Sequence, residues 1–315
     1  MNNFARRLNE GGPIIVDGGL ATQLEAMGHD ISGALWSAAM LARNPGEIVA
    51  AHRAYLDAGA DVIISASYQA SRAGFMSNGC SAAEADRLIA SSVELALTAR
   101  EQFVADNPDS PLPIVAASVG PWGATQQDGS EYTGVYGISE SGLREFHEAR
   151  LPLLDAAGAD VLAVETIPNA VEAEVLCEML RDVSTPAWVS FACRDDRHLS
   201  DGTPLSSVAS PYARHDRVLA LGINCTAPRF IGTLIGQLRE AAPDKAIVVY
   251  PNSGETYHAS DNSWSGEACD LDADFDVAAW HAAGAGLIGG CCRTSPADIG
   301  AIRARLLTGA APCSR

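Results

Sequence analysis

Two adjacent cysteines, Cys291 and Cys292, close an apolar run near the end of the sequence. Neighbouring cysteines rarely reach the geometry that a disulfide requires, whereas two thiols at one position can share a soft metal ion. A third cysteine, Cys225, closes a similar apolar run. If the two run ends lie side by side, three thiolates converge and leave a fourth coordination position open. This arrangement is typical of a catalytic zinc site rather than a structural one.

Two acidic residues occupy comparable positions in the sequence. Asp17 closes the first apolar run, and Glu165, followed by Thr166, closes the fourth. A carboxylate at the end of a buried strand is costly unless something pairs with it. We therefore expect Asp17 and Glu165 to bind a cationic group such as a substrate ammonium. The alternative is that each carboxylate caps the next helix or pairs with a loop lysine.

Glycine pairs follow two of the same runs. Backbone N–H groups at Gly18 and Gly19 can approach an anionic group closely, although the pair could also simply form a tight turn. Gly289 and Gly290 could make room for zinc or cradle a phosphate after the last strand. The cysteines that follow this second pair favour the metal.

The residues named so far require elements that bring them together, and the chain supplies eight apolar, β-prone runs alternating with helical patterns. This alternation is typical of βα units with a parallel sheet, whose strands are buried on both faces. We predict an α/β fold: a single (β/α)8 TIM-type barrel with its active site at the carboxyl-terminal face. An open, doubly wound sheet is the alternative. The predicted strands are residues 14–17, 62–68, 114–120, 161–166, 187–193, 218–225, 246–252 and 286–292.

Helices are predicted between these strands, and the stretch 139–157 is expected to form one of them. An Ala-Gly-Ala sequence recurs at 58–60, 157–159 and 283–285, where a helix should end in a left-handed turn and a strand begin. The irregular segments 121–137 and 253–271 both follow strand ends. Both should therefore lie at the face where barrels build active sites.

Composition narrows the class of protein. The 315 residues, 47% of them hydrophobic, predict one barrel domain over 1–315 with a large core. A net charge of −18 argues against binding to nucleic-acid phosphates or anionic membranes. The sequence shows no signal peptide and no membrane-spanning run, and its remaining cysteines are scattered. These features predict a cytoplasmic protein in a reducing compartment.

Several other chemistries lack their motifs. The seven histidines form no metal-binding run, and there is no nucleophile elbow, P-loop or Rossmann glycine fingerprint. The cysteines and the polar residues at the run ends therefore remain the candidates for chemistry.

Across essentially its whole length, the chain resembles the homocysteine S-methyltransferase family. Residues 249–255 and the chain length resemble the short branch that uses S-methylmethionine or S-adenosylmethionine. The resemblance rests on the motifs Asp17-Gly18-Gly19, Ser67-Tyr68-Gln69, Glu165-Thr166, Gly222-Ile223-Asn224-Cys225 and Gly289-Gly290-Cys291-Cys292-Arg293-Thr294.

The resemblance implies a zinc-dependent transfer of a methyl group from a sulfonium donor to the thiol of L-homocysteine, giving methionine. It implies that Asp17 and Glu165 engage the amino group of homocysteine, and that the Gly18–Gly19 backbone engages its carboxylate. The zinc ligands, which carry the catalysis, would be Cys225, Cys291 and Cys292, and the other residues near the substrates would include Thr166 and Asn224.

The donor is cationic, so aromatic faces are natural partners for it. Trp36, Tyr68 and Trp122 are the candidates, with ordinary packing as the alternative role. The expected partners are therefore small molecules, with no nucleic acid or membrane, and the oligomeric state is not predicted. Three other functions stay open: selenocysteine or another thiol as acceptor, a purely structural zinc, and a non-catalytic homocysteine-binding zinc barrel that needs a separate methyl carrier.

Overall fold

The computed structural model describes residues 2–31, 38–126, 128–258, 263–265 and 274–308, and it confirms the predicted (β/α)8 barrel. A separate two-stranded hairpin, β8 (Thr256–His258) and β9 (Ser263–Ser265), lies in the second irregular segment. The strands of the barrel are β1 (Ile14–Ile15), β2 (Val62–Ile64), β3 (Ile114–Val119), β4 (Val161–Ile167), β5 (Ala187–Phe191), β6 (Val218–Asn224), β7 (Ala246–Tyr250) and β10 (Ala285–Ile288).

These eight strands form one sheet in the order β1-β10-β7-β6-β5-β4-β3-β2, and all neighbours in it are parallel. A parallel bridge between Val16 and Val62 joins β1 to β2 and completes the ring. Because the strands are parallel, their carboxyl ends all open on the same face, as the predicted placement of the site requires.

Helices surround the ring and connect successive strands. The longest helix in the described residues, α6 (Ala82–Asp106), begins with a capping box in which Ser81 and Glu84 satisfy each other's backbone N–H groups. The helices are α1 (Asn3–Glu10), α2 (Leu20–Ala26), α3 (Ala38–Arg43), α4 (Pro45–Asp57), α5 (Arg72–Ser77), α6 (Ala82–Asp106), α7 (Ser130–Thr133), α8 (Glu140–Glu148), α9 (Leu151–Asp155), α10 (Ala170–Met179), α11 (Leu205–Ala209), α12 (Pro228–Ala241), α13 (Val277–Ala283) and α14 (Pro296–Thr308).

Two local predictions differ from the structure. The stretch 139–157 is not one helix, because Arg150 leaves the helical conformation (φ −126°, ψ −36°) and Pro152 provides no backbone N–H. Most strands also end before their predicted limits; β2 stops at Ile64, where the chain turns and the hydroxyls of Ser65 and Ser67 bond to each other at 2.8 Å. The polar residues after β1, β2 and β10 therefore lie on turns just past the strands, whereas Glu165, Thr166 and Asn224 lie within the last residues of β4 and β6. Part of the segment 253–271 lies outside the described residues.

The recurring Ala-Gly-Ala junctions are confirmed. Gly59, Gly158 and Gly284 have φ values of 100°, 89° and 113°, in the region that glycine reaches without steric cost. Each of these glycines turns the chain from the end of a helix towards the next strand.

Two apolar layers hold the fold together. The outer layer packs the helices against the sheet, and the inner layer fills the barrel with side chains such as Val62, Ala116, Trp188 and Leu287. Phe4 of α1 joins the inner layer, with its ring 5.8 Å from that of Trp188. Helix α1 thus covers the amino-terminal end of the barrel and leaves the opposite end for the site.

Candidate active site

The three cysteines converge at the carboxyl-terminal face. Their Sγ atoms lie within 4.8 Å of one another; the Sγ of Cys292 is 3.5 Å from that of Cys225 and 4.0 Å from that of Cys291. The side-by-side arrangement of the two strands is wrong, because β7 lies between β6 and β10. The chain leaving β7 connects them: the Cys225 N–H donates to the Tyr250 carbonyl at 3.2 Å, and the Cys291 N–H to the Pro251 carbonyl at 2.8 Å.

Backbone strain accumulates at the same face. Among the described residues other than glycine, only Thr166, Cys225 and Arg293 have positive φ, at 61°, 46° and 66°. Each such conformation costs on the order of 1–3 kcal/mol and persists only where the surroundings impose it. Hydrogen bonds do so here, because the Thr166 N–H donates to Asn224 and the Arg293 N–H donates to Thr22. Strain of this kind is typical of functional sites.

The donor set of the three cysteines fits a soft divalent ion such as zinc. Two sulfurs on a tetrahedral zinc with bonds of about 2.3 Å would lie about 3.8 Å apart. The observed Sγ separations of 3.5 and 4.0 Å bracket that value. The cluster therefore matches a site with three protein thiolates and one further position, and it supports metal binding.

A cavity of about 420 Å³ opens beside the cysteines. It is lined from both sides of the barrel, by the turn after β1, by Glu165 and Thr166 of β4, and by residues that follow β2 and β10. Asp17 and Asn224 do not line it but lie directly behind its wall, and Trp36 lies outside the described residues. Trp122 packs on Tyr136 instead, with the ring centroids 5.1 Å apart. The predicted residues that line the cavity are Gly18, Gly19, Tyr68, Glu165, Thr166, Cys225, Cys291 and Cys292.

Glu165 and Asp17 are both buried and only partly satisfied by hydrogen bonds. Ser118 donates to Glu165 Oε1 at 2.5 Å, and burial raises the pKa of Glu165 to about 7. The Ile64 N–H donates to Asp17 Oδ2 at 2.8 Å, whereas Asp17 Oδ1 has no hydrogen-bond partner among the described residues. Burial raises the pKa of Asp17 well above its ordinary value. A cationic ligand would relieve the cost of both carboxylates.

Asn224 acts on the site through Thr166. Its Oδ1 accepts from the Thr166 N–H and from Ser190, both at 2.8 Å, and its Nδ2 donates to Thr166 Oγ1 at 2.7 Å. Asn224 thus fixes Thr166, and with it one wall of the cavity, from behind.

The two glycines after β1 pack closely against the turn that follows the cysteines. A Cβ atom at Gly18 would lie 2.8 Å from the Thr294 carbonyl oxygen, so a larger residue does not fit. The Gly19 N–H already donates to that carbonyl at 3.1 Å, and the Tyr55 hydroxyl bonds to it at 2.9 Å. The Gly19 N–H is therefore not available for an anionic group. Of the two backbone N–H groups predicted to approach such a group, only that of Gly18 remains a candidate.

Several cavity residues were missed in the sequence analysis, and two of them lie beside the cysteines. Glu131 and Tyr132 lie on α7, within the irregular segment 121–137, and both line the cavity. The Tyr132 hydroxyl is 3.9 Å from the Sγ of Cys292. The available signal was an acidic and an aromatic residue between Gly129 and Gly134, in a segment already placed at the active face.

A buried carboxylate on α10 holds this segment in place. Glu172 Oε1 accepts from the Trp122 N–H at 2.7 Å and lies 2.9 Å from His147 Nε2, and its Oε2 accepts from the Tyr136 hydroxyl at 2.8 Å. Glu172 and His147 are fully buried. The segment that carries Glu131 is therefore attached at both of its ends.

Comparisons with known proteins agree with this geometry. The family model described as homocysteine S-methyltransferase matches residues 14–306. Homocysteine S-methyltransferase YbgG of Bacillus subtilis strain 168 is 47% identical over 295 residues, covering 92% of this chain and 93% of its own. Homocysteine S-methyltransferase of Escherichia coli K12 is 48% identical over 295 residues, covering 93% of this chain and 94% of its own.

A solved structure agrees as well. The metallated form of the homocysteine methyltransferase MmuM from Escherichia coli superposes with a TM-score of 0.87 at 44% identity, covering 96% of this chain and all of that one. In the described part of the chain, no helix is long and apolar enough to cross a membrane. Together the matches support homocysteine methyltransferase activity, and the chain belongs to the homocysteine S-methyltransferase family.

Proposed function

We propose that this chain, as one barrel unit over residues 1–315, transfers a methyl group from a sulfonium donor to the thiol of homocysteine, using zinc held by Cys225, Cys291 and Cys292. The donor would be S-methylmethionine or S-adenosylmethionine, and the product methionine. The observation that carries the proposal is a three-cysteine cluster, with Sγ atoms within 4.8 Å of one another, beside a cavity backed by buried carboxylates. The existence of a metallated form of MmuM supports metal binding by this chain.

A bound zinc ion would supply a Lewis-acid position at which a thiol loses its proton near neutral pH. A free thiol has a pKa near 8.5 and is mostly protonated at that pH, whereas the thiolate is the nucleophile. Cys225, Cys291 and Cys292 would hold the ion as thiolates, and their negative charge would favour a nucleophilic acceptor sulfur.

The chain's own residues would orient the acceptor. Glu165 faces the cavity and would accept hydrogen bonds from the homocysteine ammonium, and Asp17 would add negative charge from behind the wall. The backbone at Gly18 would lie against the acceptor carboxylate. Asn224 would hold Thr166 beside the acceptor. Fixing the acceptor in this way converts an encounter in solution into a positioned attack.

In the transfer step, the acceptor sulfur attacks the methyl carbon in line with the donor sulfur. A new carbon–sulfur bond forms, and the carbon–sulfur bond of the sulfonium breaks with its electron pair left on the donor sulfur. The donor becomes a neutral thioether, and the proton lost earlier by the thiol goes to solvent. Tyr68, which lines the cavity, would place an aromatic face near the donor cation.

The test is an assay of the purified full-length chain loaded with zinc. Homocysteine is offered with S-methylmethionine, S-adenosylmethionine or betaine in parallel, without cobalamin, and methionine is quantified. We expect methionine from at least one sulfonium donor and none from betaine. Failure with every sulfonium donor would contradict the proposal. Repeating the assay with selenocysteine as acceptor compares the two thiol-type acceptors directly.

A further inference from the structure

The cavity carries more buried acid than the acceptor requires. Homocysteine has one ammonium group, and Asp17 and Glu165 already serve it in the proposed function. Glu131, on α7, is a third acidic side chain in the cavity wall, and only 5% of it is exposed. A buried carboxylate without an assigned partner needs an explanation.

The Glu131 carboxylate lacks a partner for its negative charge within the described part of the chain. Its Oε2 is buried and has no hydrogen-bond partner among the described residues. Burial, together with the nearby Asp128 and Cys292, raises the pKa of Glu131 to about 7. A carboxylate in this environment is stabilised strongly by a cation placed beside it. No Lys or Arg among the described residues forms an ion pair with it.

Glu131 also lies on the side of the cavity where the methyl group must move. The neighbouring Tyr132 places its hydroxyl 3.9 Å from Cys292, so this part of α7 borders the cysteine cluster. The acceptor sulfur is expected at that cluster, and the donor sulfur must approach it in line. The positive charge of the donor therefore passes close to Glu131.

The segments packed around α7 hold Glu131 in the cavity wall. A Cβ atom on Gly123 would lie 2.7 Å from the Glu131 nitrogen, so the turn after β3 packs directly on α7. Glu172 holds the same segment through Trp122 and Tyr136. Because of these contacts, the carboxylate cannot swing out to solvent without a rearrangement of the segment.

We propose that the Glu131 carboxylate binds the positive charge of the sulfonium donor beside the cysteine cluster and so distinguishes donor from product. The proposal rests on the proposed function, because that function supplies the cation. Once the methyl group leaves, the donor sulfur keeps the electron pair and becomes a neutral thioether. The attraction is present before the transfer and absent after it, which favours entry of the donor and release of the product.

The experiment compares Glu131→Gln with the wild type, both as zinc-loaded full chains. We expect the KM for S-methylmethionine to rise about tenfold or more, because a partly desolvated charge pair is lost. Methionine has the same skeleton without the sulfonium charge. Its inhibition constant against the donor should change by about twofold at most, as should the homocysteine Kd measured by calorimetry without donor, because neither involves the donor charge.

Glu25→Gln is the matched control. Glu25 lines the same cavity but is exposed to solvent, so its charge is screened and the donor KM should rise by about threefold at most. Glu131→Asp, which keeps the charge but shortens its reach, should give an intermediate donor KM and covers the case in which Glu131→Gln does not fold.

Three outcomes would overturn the proposal. An unchanged donor KM in Glu131→Gln removes the role outright. An equal loss of homocysteine affinity assigns Glu131 to the acceptor. An equal loss of methionine inhibition shows that Glu131 recognises a group that methionine shares with the donor, such as the α-ammonium, and not the sulfonium charge. Absence of turnover in the wild type with every sulfonium donor is a different result, since it contradicts the proposed function itself.

Discussion

At its amino-terminal end, the barrel interior is sealed by α1, whose Phe4 is fully buried against Trp188. At its carboxyl-terminal end the interior opens into a cavity of about 420 Å³, bordered by three non-glycine residues with positive φ. One end is filled with apolar side chains in ordinary geometry, and the other holds polar groups in strained geometry. Burial at the first end can offset the cost of strain at the second.

The hydrogen bonds of the two ends differ in the same way. At the amino-terminal end, Asp61 accepts from the Ile15 N–H, and Asp160 accepts from the Val115 N–H and from Arg100. At the other end, Asp17 Oδ1 and Glu131 Oε2 have no partner among the described residues. Asp61 and Asp160 at the amino-terminal end are therefore used by the fold, whereas Asp17 and Glu131 at the carboxyl-terminal end each keep one oxygen for a ligand.

The largest effect is expected at the carboxyl-terminal end, where a substitution in the cysteine cluster should abolish activity with little effect on stability. Cys292→Ser should remove zinc and lower methionine formation on the order of a thousandfold, equivalent to about 4 kcal/mol of transition-state stabilisation. Compared as metal-free proteins, the variant and the wild type should unfold within about 2 kcal/mol of each other, because Cys292 is only half-buried. Metal analysis, the assay and thermal melting provide the three readouts.

Cys80→Ser is the matched control for that substitution. Cys80 is also a half-buried free cysteine but lies outside the cluster, so zinc content and activity should be retained. If Cys292→Ser is unfolded once it has lost zinc, the metal holds the fold together. That result would contradict the assignment of the cysteine cluster to function alone.

The second effect is expected at the amino-terminal end of the barrel. There a substitution should lower stability and leave activity unchanged, whereas Cys292→Ser should do the opposite. Phe4→Ala should lower the free energy of unfolding by about 3–5 kcal/mol, because a fully buried ring is replaced by a cavity. Activity per folded molecule should be unchanged, since the site lies at the opposite face. Denaturant titration and assays below the melting transition test this. A Phe4→Leu variant should recover most of the stability, and a large change in kcat would show that the two ends are coupled.

The smallest effect concerns the helical layer between the ends. His52 of α4 is fully buried and neither ring nitrogen has a partner among the described residues; burial lowers its pKa from 6.5 to about 4. Below pH 6.5, His52 binds a proton in the unfolded chain but not in the folded chain. The free energy of unfolding therefore falls as the pH drops towards 4. Relative to His52→Leu, the wild type should lose about 2 kcal/mol between pH 7.5 and 5.

Chemical denaturation of both proteins across this pH range measures the difference. Taking the difference between the two proteins removes the contributions of the other titrating groups they share. Parallel curves for wild type and variant would show that His52 binds its proton equally well in the folded and unfolded chains, which would contradict the prediction.

The alternation of apolar runs with helical patterns was enough to predict the barrel, because each barrel strand overlaps one of the eight apolar runs. The convergence of Cys225 with Cys291 and Cys292 followed from parallel strands ending on one face, although the intervening β7 did not follow from it. Glu131 and Tyr132 were missed because α7 is four residues long and has no periodic pattern. The Glu172 contacts to Trp122 and His147 could not be predicted from the sequence either, since one buried side chain joins segments that are distant in the chain.

The seam of the ring has a consequence for synthesis. Ile14 of β1 pairs with Leu287 of β10, so the first strand made waits for the last before it has both of its neighbours. The same last strand leads directly into Cys291 and Cys292. On the ribosome, the ring can close and the thiol cluster can be completed only after the residues through Cys292 have emerged. A nascent chain that has not reached this point has neither a finished barrel nor the full set of sulfurs with which to take up a metal.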